Sequence, residues 1–285
     1  MTKFAAIQMA SGSNIQGNLT EAGRLISQAV GAGASLVVLP ENFAHMGIEE
    51  TDKLDIAEAA GDGMIQIFLA DQAKQHNIWI VGGTIPILTS ENTHVKAACL
   101  VFDSEGQQVA RYDKFHLFDV EIEDATDQKG GKNQEKYAES ETITAGDSLV
   151  WVDSPFGRIG LAVCYDLRFP ELFRELIKHN IEIFAIPSAF TATTGQAHWE
   201  TLVRARAIEN LSYVVAPNQG GYHVNGRETH GDSMIVDPWG NIMDRLQAGS
   251  GFVTAEIDLD RLSLLRQNFP SLQHRRINCG TTDDR

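Results

Sequence analysis

The stretch GRIGLAVCYDLRFPELFRELIKHNIEIFAIPS (157–188) divides into three parts. An apolar run leads to Cys164, a helical pattern opens at Pro170, and a second apolar run follows from Ile181. Proline is favoured in the first turn of a helix. Continuous apolar runs alternating with helices are typical of sheets whose faces are covered by helices. The stretch therefore predicts a strand–helix–strand unit of an α/β protein, with Cys164 where the first strand gives way to the helix.

The same alternation extends along the chain. Helical spacing is expected after an Asn18 cap, from Asp62, and after an Asp258 cap. A long helix is expected over roughly 196–211, and its predicted inner face consists of Trp199, Leu202, Val203, Ala205, Ile208 and Leu211. Further predicted strands are FAAIQMA (4–10), SLVVLP (35–40), IWIVGGTIPI (78–87), HVKAACLVFDS (94–104), YVVAPNQ (213–219), DSMIVDP (232–238) and GFVTAEID (251–258).

One domain is expected over residues 1–285, with a core in 1–258 and a C-terminal helix and tail in 259–285. LVVLPE (36–41) resembles IFAIPS (183–188), which suggests two strand–helix–strand halves. The polar stretch 119–139 has no periodicity and is interpreted as a long loop. Such a loop is either a solvated excursion or a lid or interface arm.

Charge and cysteine content limit the classes of partner and the cellular compartment that are expected for this chain. The chain has 23 basic and 38 acidic residues, a net charge of −15, which disfavours nucleic acid and anionic lipid as partners. An anionic substrate would need locally placed Arg or Lys. The cysteines at 99, 164 and 279 show no CxxC spacing, which favours a reducing compartment. The first residues carry too short an apolar run for a signal peptide, and no membrane span is apparent, so the cytoplasm is expected.

Three reactive side chains follow predicted strands: Glu41, Lys114 and Cys164. Alone, each has an ordinary explanation as a cap, a surface residue or a buried thiol. Together they suit attack of a thiol on a carbonyl or nitrile carbon, since ligands bind at the carboxyl ends of strands in such sheets. The carboxylate would move the proton, and the ammonium would stabilise the thiolate and the oxyanion.

Other patterns indicate no cofactor. No HExxH or CxxC spacing predicts a metal site, and no GxGxxG or Walker pattern predicts a nucleotide. His116 and His198 could line a pocket, but a structural hydrogen bond is the better interpretation of each.

LPENF (39–43), RYDKFHLFD (111–119), YAES (137–140) and CYDLRFPEL (164–172) resemble the nitrilase superfamily of carbon–nitrogen hydrolases. The resemblance implies that Glu41, Lys114 and Cys164 are the catalytic triad and that Glu139 supports it. It also implies an α/β fold built as a four-layer αββα sandwich, pairing through helices into a homodimer or a higher oligomer, and no metal or organic cofactor.

Finer motifs resemble the Nit branch, which contains omega-amidases and deaminated-glutathione amidases. They are PSAFTATTGQAHWE (187–200), RARAIEN (204–210) and HGDSMIVDPWG (230–240). Ala205 and Asp237 are more like the second group. This resemblance implies hydrolysis of deaminated glutathione to 2-oxoglutarate and Cys-Gly. The alternatives are an omega-amidase acting on 2-oxoglutaramate or 2-oxosuccinamate, or another amidase or carbamoylase.

The expected substrate-binding residues are Tyr165 through its backbone N–H, Arg168, Thr194 and His198. Arg168 and Thr194 also have structural alternatives. Arg168 could pair with Asp166 or Glu171, and Thr194 could cap a loop together with Thr191. Arg204 and Arg206 have helix spacing to Glu200 and Glu209, so salt bridges explain them.

Two other classes of protein remain open. A thiol-based sensor would need Cys99 or Cys279 as a resolving cysteine, and a binding module would have no need of Glu41, Lys114 and Cys164 together.

Overall fold

Two β-sheets lie between layers of helices in the computed structural model, which describes residues 2–91, 93–123 and 134–277. The helices are α1 Ile15–Gly31, α2 Asp52–Asp55, α3 Met64–His76, α4 Pro170–Leu176, α5 Ala192–Asn210 and α6 Leu259–Asn268, with 3₁₀ turns at Glu139–Glu141, Cys164–Arg168 and Ile177–His179. The strands are β1 Thr2–Gln8, β2 Ala34–Val38, β3 Trp79–Val81, β4 Ile85–Leu88, β5 Val95–Phe102, β6 Gln108–Asp113, β7 Asp119–Glu123, β8 Gln134–Ala138, β9 Trp151–Ser154, β10 Gly157–Leu161, β11 Ile183–Ala185, β12 Tyr213–Ala216, β13 Gly220–Tyr222, β14 Glu228–His230, β15 Ser233–Val236, β16 Ile242–Leu246 and β17 Gly251–Ile257.

The two sheets have related layouts. The first has the order β17-β1-β2-β3-β5-β4, with β6 also paired to β5, and its β1, β2 and β3 are parallel. The second has the order β16-β15-β12-β11-β10-β9, and its β10, β11 and β12 are parallel. Both sheets thus combine a parallel centre with antiparallel edges, and the predicted α/β class is confirmed.

Strand β1 shows how the sequence builds the layers. Phe4 and Ala6 belong to the apolar cluster shared with the second sheet, whereas Ala5 and Ile7 belong to the cluster formed with α1 and α3. Successive side chains of a strand point to opposite faces, so a run of consecutive apolar residues is buried on both sides. On the other side, Phe173 of α4 packs edge-on against Phe184 of β11, with ring centroids 5.1 Å apart. The layers follow the order helix, sheet, sheet, helix.

The start of the first helix differs from the sequence prediction. Asn14, not Asn18, is the N-cap of α1, and its side chain accepts a hydrogen bond from the Gly17 N–H. Asn18 lies inside the helix, where its amide donates to the carbonyls of Gly12 and Ala44. Both residues have the same capping propensity, and the contacts of Asn18 with Gly12 and Ala44 distinguish them. At the other end of the chain, Asp258 caps α6 as predicted.

The buried face of α5 was predicted only in part. Trp199 and Val203 are buried, but Ile208 is 47% exposed, while Arg206 and Asn210 are buried in its place. The Arg206 guanidinium donates to the Leu167 carbonyl and to Glu209, which satisfies its polar groups inside the protein. Apolar spacing therefore located this face correctly at Trp199, Val203 and Leu211 and incorrectly at Ile208.

The interpretation of 119–139 as an unstructured loop was wrong at both flanks. β7 and β8 pair antiparallel, from Asp119 opposite Ala138 to Glu123 opposite Gln134. The intervening part of the predicted loop, 124–133, lies outside the described residues.

The predicted strand IWIVGGTIPI (78–87) forms two short strands, β3 and β4, because Gly83 turns the chain with a φ of +59° between them.

Candidate active site

Cys164 occupies a sharp turn between β10 and α4. Its φ is +47°, in the left-handed region that non-glycine residues seldom adopt. Its backbone N–H donates to the Pro187 carbonyl at 2.9 Å, and its side chain ends in a cavity although the residue is only 8% exposed. Strained backbone of this kind is found where surrounding structure holds a functional group in place.

Asp166 holds this turn. Its carboxylate is fully buried and accepts hydrogen bonds from the Val163 N–H (2.8 Å), the Tyr112 hydroxyl (2.6 Å) and the His116 N–H (3.0 Å). The His116 Nδ1 lies 2.8 Å from the same carboxylate, and the imidazole stacks on Phe169. His116 therefore has the structural role that the sequence analysis favoured.

Glu41 lies in the loop after β2 and is 3% exposed. Its backbone carbonyl accepts a hydrogen bond from the Gln219 amide at 3.0 Å. Gly83 faces the same loop, and a Cβ at this position would lie 2.1 Å from the Pro40 carbonyl oxygen. The loop that carries Glu41 is thus fixed by a buried side-chain amide and by a close backbone approach that only glycine permits.

Lys114 follows β6 and lies between two carboxylates. Its Nζ is 2.8 Å from Glu41 Oε1 and 2.8 Å from Glu139 Oε2, and the residue is 1% exposed. Burial acts to lower the pKa of the Lys114 ammonium, but the charges of Glu139 and Glu41 prevail and hold it well above its usual value. Lys114 therefore stays protonated at neutral pH.

Glu139 begins the short turn after β8 and completes the cluster. Its Oε2 accepts hydrogen bonds from Lys114 and from the Phe118 N–H, both at 2.8 Å. Burial acts to raise the pKa of the Glu139 carboxyl, but the Lys114 charge and these hydrogen bonds lower it below its usual value. Glu139 is consequently ionised at neutral pH and fixes the position of the Lys114 ammonium.

The Cys164 thiol has the opposite electrostatic character. Burial, together with the charge of Glu41, holds its pKa well above the ordinary value, although Lys114 and a hydrogen bond from the Ala189 backbone act in the other direction. The free protein therefore contains a neutral thiol. A thiol in this state needs a base to remove its proton when it attacks a carbon atom.

These groups meet at one narrow cavity. Of the predicted site residues, Glu41, Glu139, Cys164, Tyr165, Arg168 and Thr194 line it, and Lys114 lies buried behind Glu41 and Glu139. His198 is exposed and lies outside the lining, where its Nδ1 is 3.2 Å from the Arg168 guanidinium. The remaining lining residues are Asn42, Phe118, Ala189, Phe190, Thr191 and Arg227.

The predicted binding residues differ in what holds them. The Arg168 guanidinium lies over the rings of Phe190 and Tyr165, 5.4 Å and 5.9 Å from their centroids, and so faces the cavity. Thr194 donates its N–H to the hydroxyl of Thr191, the N-cap of α5, as the loop-capping alternative predicted. The helix salt bridges were also predicted correctly, with Arg204 bonded to Glu200 and Arg206 to Glu209.

Several residues of this region escaped the sequence analysis. Asp166 and Gln219 are polar residues whose partners lie far away in sequence, so no local pattern marks them. Arg227 lies in the β13–β14 hairpin, and its only sequence signal is a lone cation in the turn-rich segment QGGYHVNGRETHG (219–231).

The other cysteines bear on whether the protein could instead be a thiol-based sensor. Cys99 is fully buried in β5, and burial raises its pKa far above the usual range, so it is poorly suited to resolve an oxidised Cys164. Cys279 lies outside the described residues. Across residues 2–91, 93–123 and 134–277, no group of three or more His, Cys, Asp or Glu side chains could hold a metal ion. None of the described helices has the length and apolar character needed to cross a membrane.

Comparison with known proteins gives a consistent result. The carbon-nitrogen hydrolase family profile matches residues 3–267. A deaminated glutathione amidase from Synechocystis sp. is 44% identical over 274 residues, covering 95% of this chain and 97% of that protein. The deaminated glutathione amidase of Homo sapiens is 39% identical, covering 95% of this chain and 81% of that protein.

Solved structures agree with this assignment. The Caenorhabditis elegans NitFhit protein superimposes with a TM-score of 0.87 at 39% identity, covering 96% of this chain and 65% of that chain. Saccharomyces cerevisiae Nit3, a member of branch 10 of the nitrilase superfamily, gives 0.84 at 28% identity and covers 97% of both chains. Both sequence and fold therefore place this chain in the carbon-nitrogen hydrolase family, the nitrilase superfamily of amidases.

Proposed function

We propose that this amidase hydrolyses deaminated glutathione to 2-oxoglutarate and Cys-Gly through a thioester on Cys164. The observation that carries the chemistry is the buried ammonium of Lys114, clamped at 2.8 Å by both Glu41 and Glu139 beside the cavity that holds the thiol. The substrate follows from the relatives named deaminated glutathione amidase, which are 37–44% identical to this chain over nearly its whole length.

In the first half of the proposed reaction, Glu41 takes the proton of the Cys164 thiol as the sulfur attacks the amide carbon. The raised pKa of Cys164 supports this order, because a neutral thiol must lose its proton during the attack. The Lys114 ammonium and the Tyr165 backbone N–H would stabilise the tetrahedral oxyanion. Glu41 then returns the proton to the amine, the C–N bond breaks, and Cys-Gly departs.

In the second half, Glu41 takes a proton from a water molecule that attacks the thioester. The C–S bond breaks, the thiol regains its proton, and 2-oxoglutarate is released. Glu139 stays ionised throughout and keeps Lys114 in place, which its hydrogen bonds to Lys114 and to the Phe118 N–H support. Arg168 provides the cation that the acyl carboxylate of the substrate requires in a chain with a net charge of −15.

Cys164→Ala tests the proposal, with Cys99→Ala as the matched control. Both replace a buried thiol by a methyl group, but only Cys164 lines the cavity. We expect Cys164→Ala to abolish Cys-Gly release from deaminated glutathione, and Cys99→Ala to retain turnover. Full activity of Cys164→Ala would reject the thioester mechanism.

The substrate is tested separately from the chemistry. Wild-type enzyme is assayed with deaminated glutathione and with 2-oxoglutaramate, and Cys-Gly and ammonia are measured respectively. A higher kcat/KM for deaminated glutathione is expected. A higher value for 2-oxoglutaramate would identify an omega-amidase with the same cysteine chemistry.

We also propose that the enzyme is a cytoplasmic homodimer. Ile208 of α5 is exposed on the outer helical layer, through which members of this superfamily are expected to pair. The free thiols of Cys99 and Cys164 suit a reducing compartment. Light scattering should give twice the mass of the chain, and Ile208→Glu should shift it towards the monomer. A monomeric wild-type protein would reject the dimer.

A further inference from the structure

A second cavity adjoins the one that contains Cys164. It shares Asn42, Glu139 and Arg227 with the first cavity. The proposed reaction uses only the first cavity for the acyl group, so the second has no role assigned so far.

The second cavity has a mixed charge. Its cations are Arg227 and Lys53, and its other titratable lining groups are His45, Glu49, Glu50 and Glu139. The Lys53 ammonium is already paired with Glu50 at 2.6 Å. The Arg227 side chain is near the charges of Glu50 and Glu139 as well, but its hydrogen bond is to the Tyr137 side chain and not to a carboxylate, so it is the better placed of the two cations to receive a further carboxylate.

The position of Arg227 is fixed on both sides. Its guanidinium stacks over the Tyr137 ring, 4.4 Å from the centroid, and Tyr137 in turn packs against Phe118. Its backbone N–H donates to the Asn225 side chain, and its carbonyl accepts from the His223 N–H. A planar guanidinium held in this way loses little freedom when it binds a carboxylate through two parallel hydrogen bonds.

We propose that the second cavity receives the amine half of the substrate and that Arg227 binds its terminal carboxylate. This inference rests on the proposed function. Deaminated glutathione carries one carboxylate on the acyl side of the scissile bond and one at the glycine end. Arg168 lines only the Cys164 cavity, whereas Arg227 lines both cavities. The glycine carboxylate lies about 7 Å beyond the scissile nitrogen, the extended length of two residues, so it would pass Glu139 and enter the second cavity.

The test uses a substrate analogue in which the glycine carboxylate is converted to the neutral primary amide. The kcat/KM for scission of the acyl–cysteinyl bond is measured for the acid and for this analogue. Wild type should prefer the acid by about 10- to 100-fold, the range for a charge-assisted pair. Arg227→Met should reduce this preference to about twofold or less, and Arg227→Lys should restore part of it.

The control is Arg168→Met. It should lower kcat/KM for the acid and the analogue by the same factor, because both share the acyl group, and so keep the wild-type preference. Arg227→Met with an unchanged preference for the acid would overturn the inference, even if the variant were less active. Absence of wild-type turnover on both compounds would instead reject the proposed function.

Discussion

Replacing Asp166 with asparagine should loosen the turn that carries Cys164 without changing the volume of the side chain. The carboxylate is fully buried and accepts from the Val163 N–H, the Tyr112 hydroxyl and the His116 N–H, and the His116 Nδ1 lies 2.8 Å from the oxygen that the His116 N–H contacts. An asparagine has one oxygen to accept hydrogen bonds, and its NH₂ group can only donate. In one orientation the NH₂ faces Val163 and Tyr112, and in the other it faces the His116 N–H.

The magnitude follows from the groups left without an acceptor. Each buried donor that loses its partner costs about 1–3 kcal/mol. Because either orientation leaves one or two of these donors facing an NH₂ group, we expect Asp166→Asn to lower the free energy of unfolding by about 1–6 kcal/mol. Turnover should fall as well, since the left-handed conformation of Cys164 would lose part of its support.

Guanidinium chloride unfolding and amide hydrolysis measure the two effects, and Tyr112→Phe is the matched control. That variant removes one donor but leaves the Asp166 carboxylate its other partners, and the loss should be about 1 kcal/mol. The loss of unfolding free energy in Asp166→Asn should exceed the loss in Tyr112→Phe. An Asp166→Asn protein that unfolds within 0.5 kcal/mol of wild type and keeps its turnover would show that this carboxylate does not hold the turn.

Three further perturbations test other parts of the site. Gly83→Ala should lower the free energy of unfolding by several kcal/mol more than Gly249→Ala, as measured by denaturant unfolding. Both glycines have a positive φ, but only a Cβ at position 83 would meet a backbone oxygen, that of Pro40. Equal losses of stability in the two variants would contradict this reasoning. Glu139→Gln should cost about 3 kcal/mol at pH 7. Since the folded pKa of Glu139 is lowered, its contribution is complete above the unfolded value of about 4.3 and is lost as the pH falls through the folded value. The stability difference between wild type and Glu139→Gln should therefore shrink below about pH 4.3, and a constant difference would refute this. Iodoacetamide alkylation of Cys164 in the free enzyme should keep accelerating beyond the ordinary thiol pKa of about 8.5, whereas a plateau below pH 8 would reveal a preformed thiolate.

The sequence predicted the parts of the fold that depend on local patterns. Apolar runs located the buried strands, and Glu41, Lys114 and Cys164 follow β2 and β6 of the first sheet and β10 of the second, whose carboxyl ends meet at one site. That the described helices and sheets form one domain, and that the triad acts as predicted, stay predictions. The family motifs added Glu139, which no local pattern would have connected with Lys114.

Features decided by distant contacts could not be predicted. Asn14 and Asn18 have equal capping propensity, and the contact of Asn18 with Ala44 settles which one caps α1. The burial of Arg206 depends on the Leu167 carbonyl, 39 residues away in sequence. β8, QEKYA, has no apolar alternation that would mark its pairing, although β7 itself alternates as DVEIE.

The net charge of the cluster formed by Glu41, Lys114 and Glu139 bears on both the protonation of the Cys164 thiol and the need for arginines that bind the substrate. Two carboxylates and one ammonium leave one net negative charge beside Cys164, so a thiolate there would bring a second uncompensated charge into a buried site. In the proposed mechanism the thiol accordingly stays neutral until a carbonyl carbon is in place to receive the sulfur. The same negative charge, added to the net charge of the chain, repels a substrate that is itself an anion. We therefore expect Arg168 and Arg227 to be needed for binding, one on each side of the scissile bond, and their spacing to select the length of the substrate.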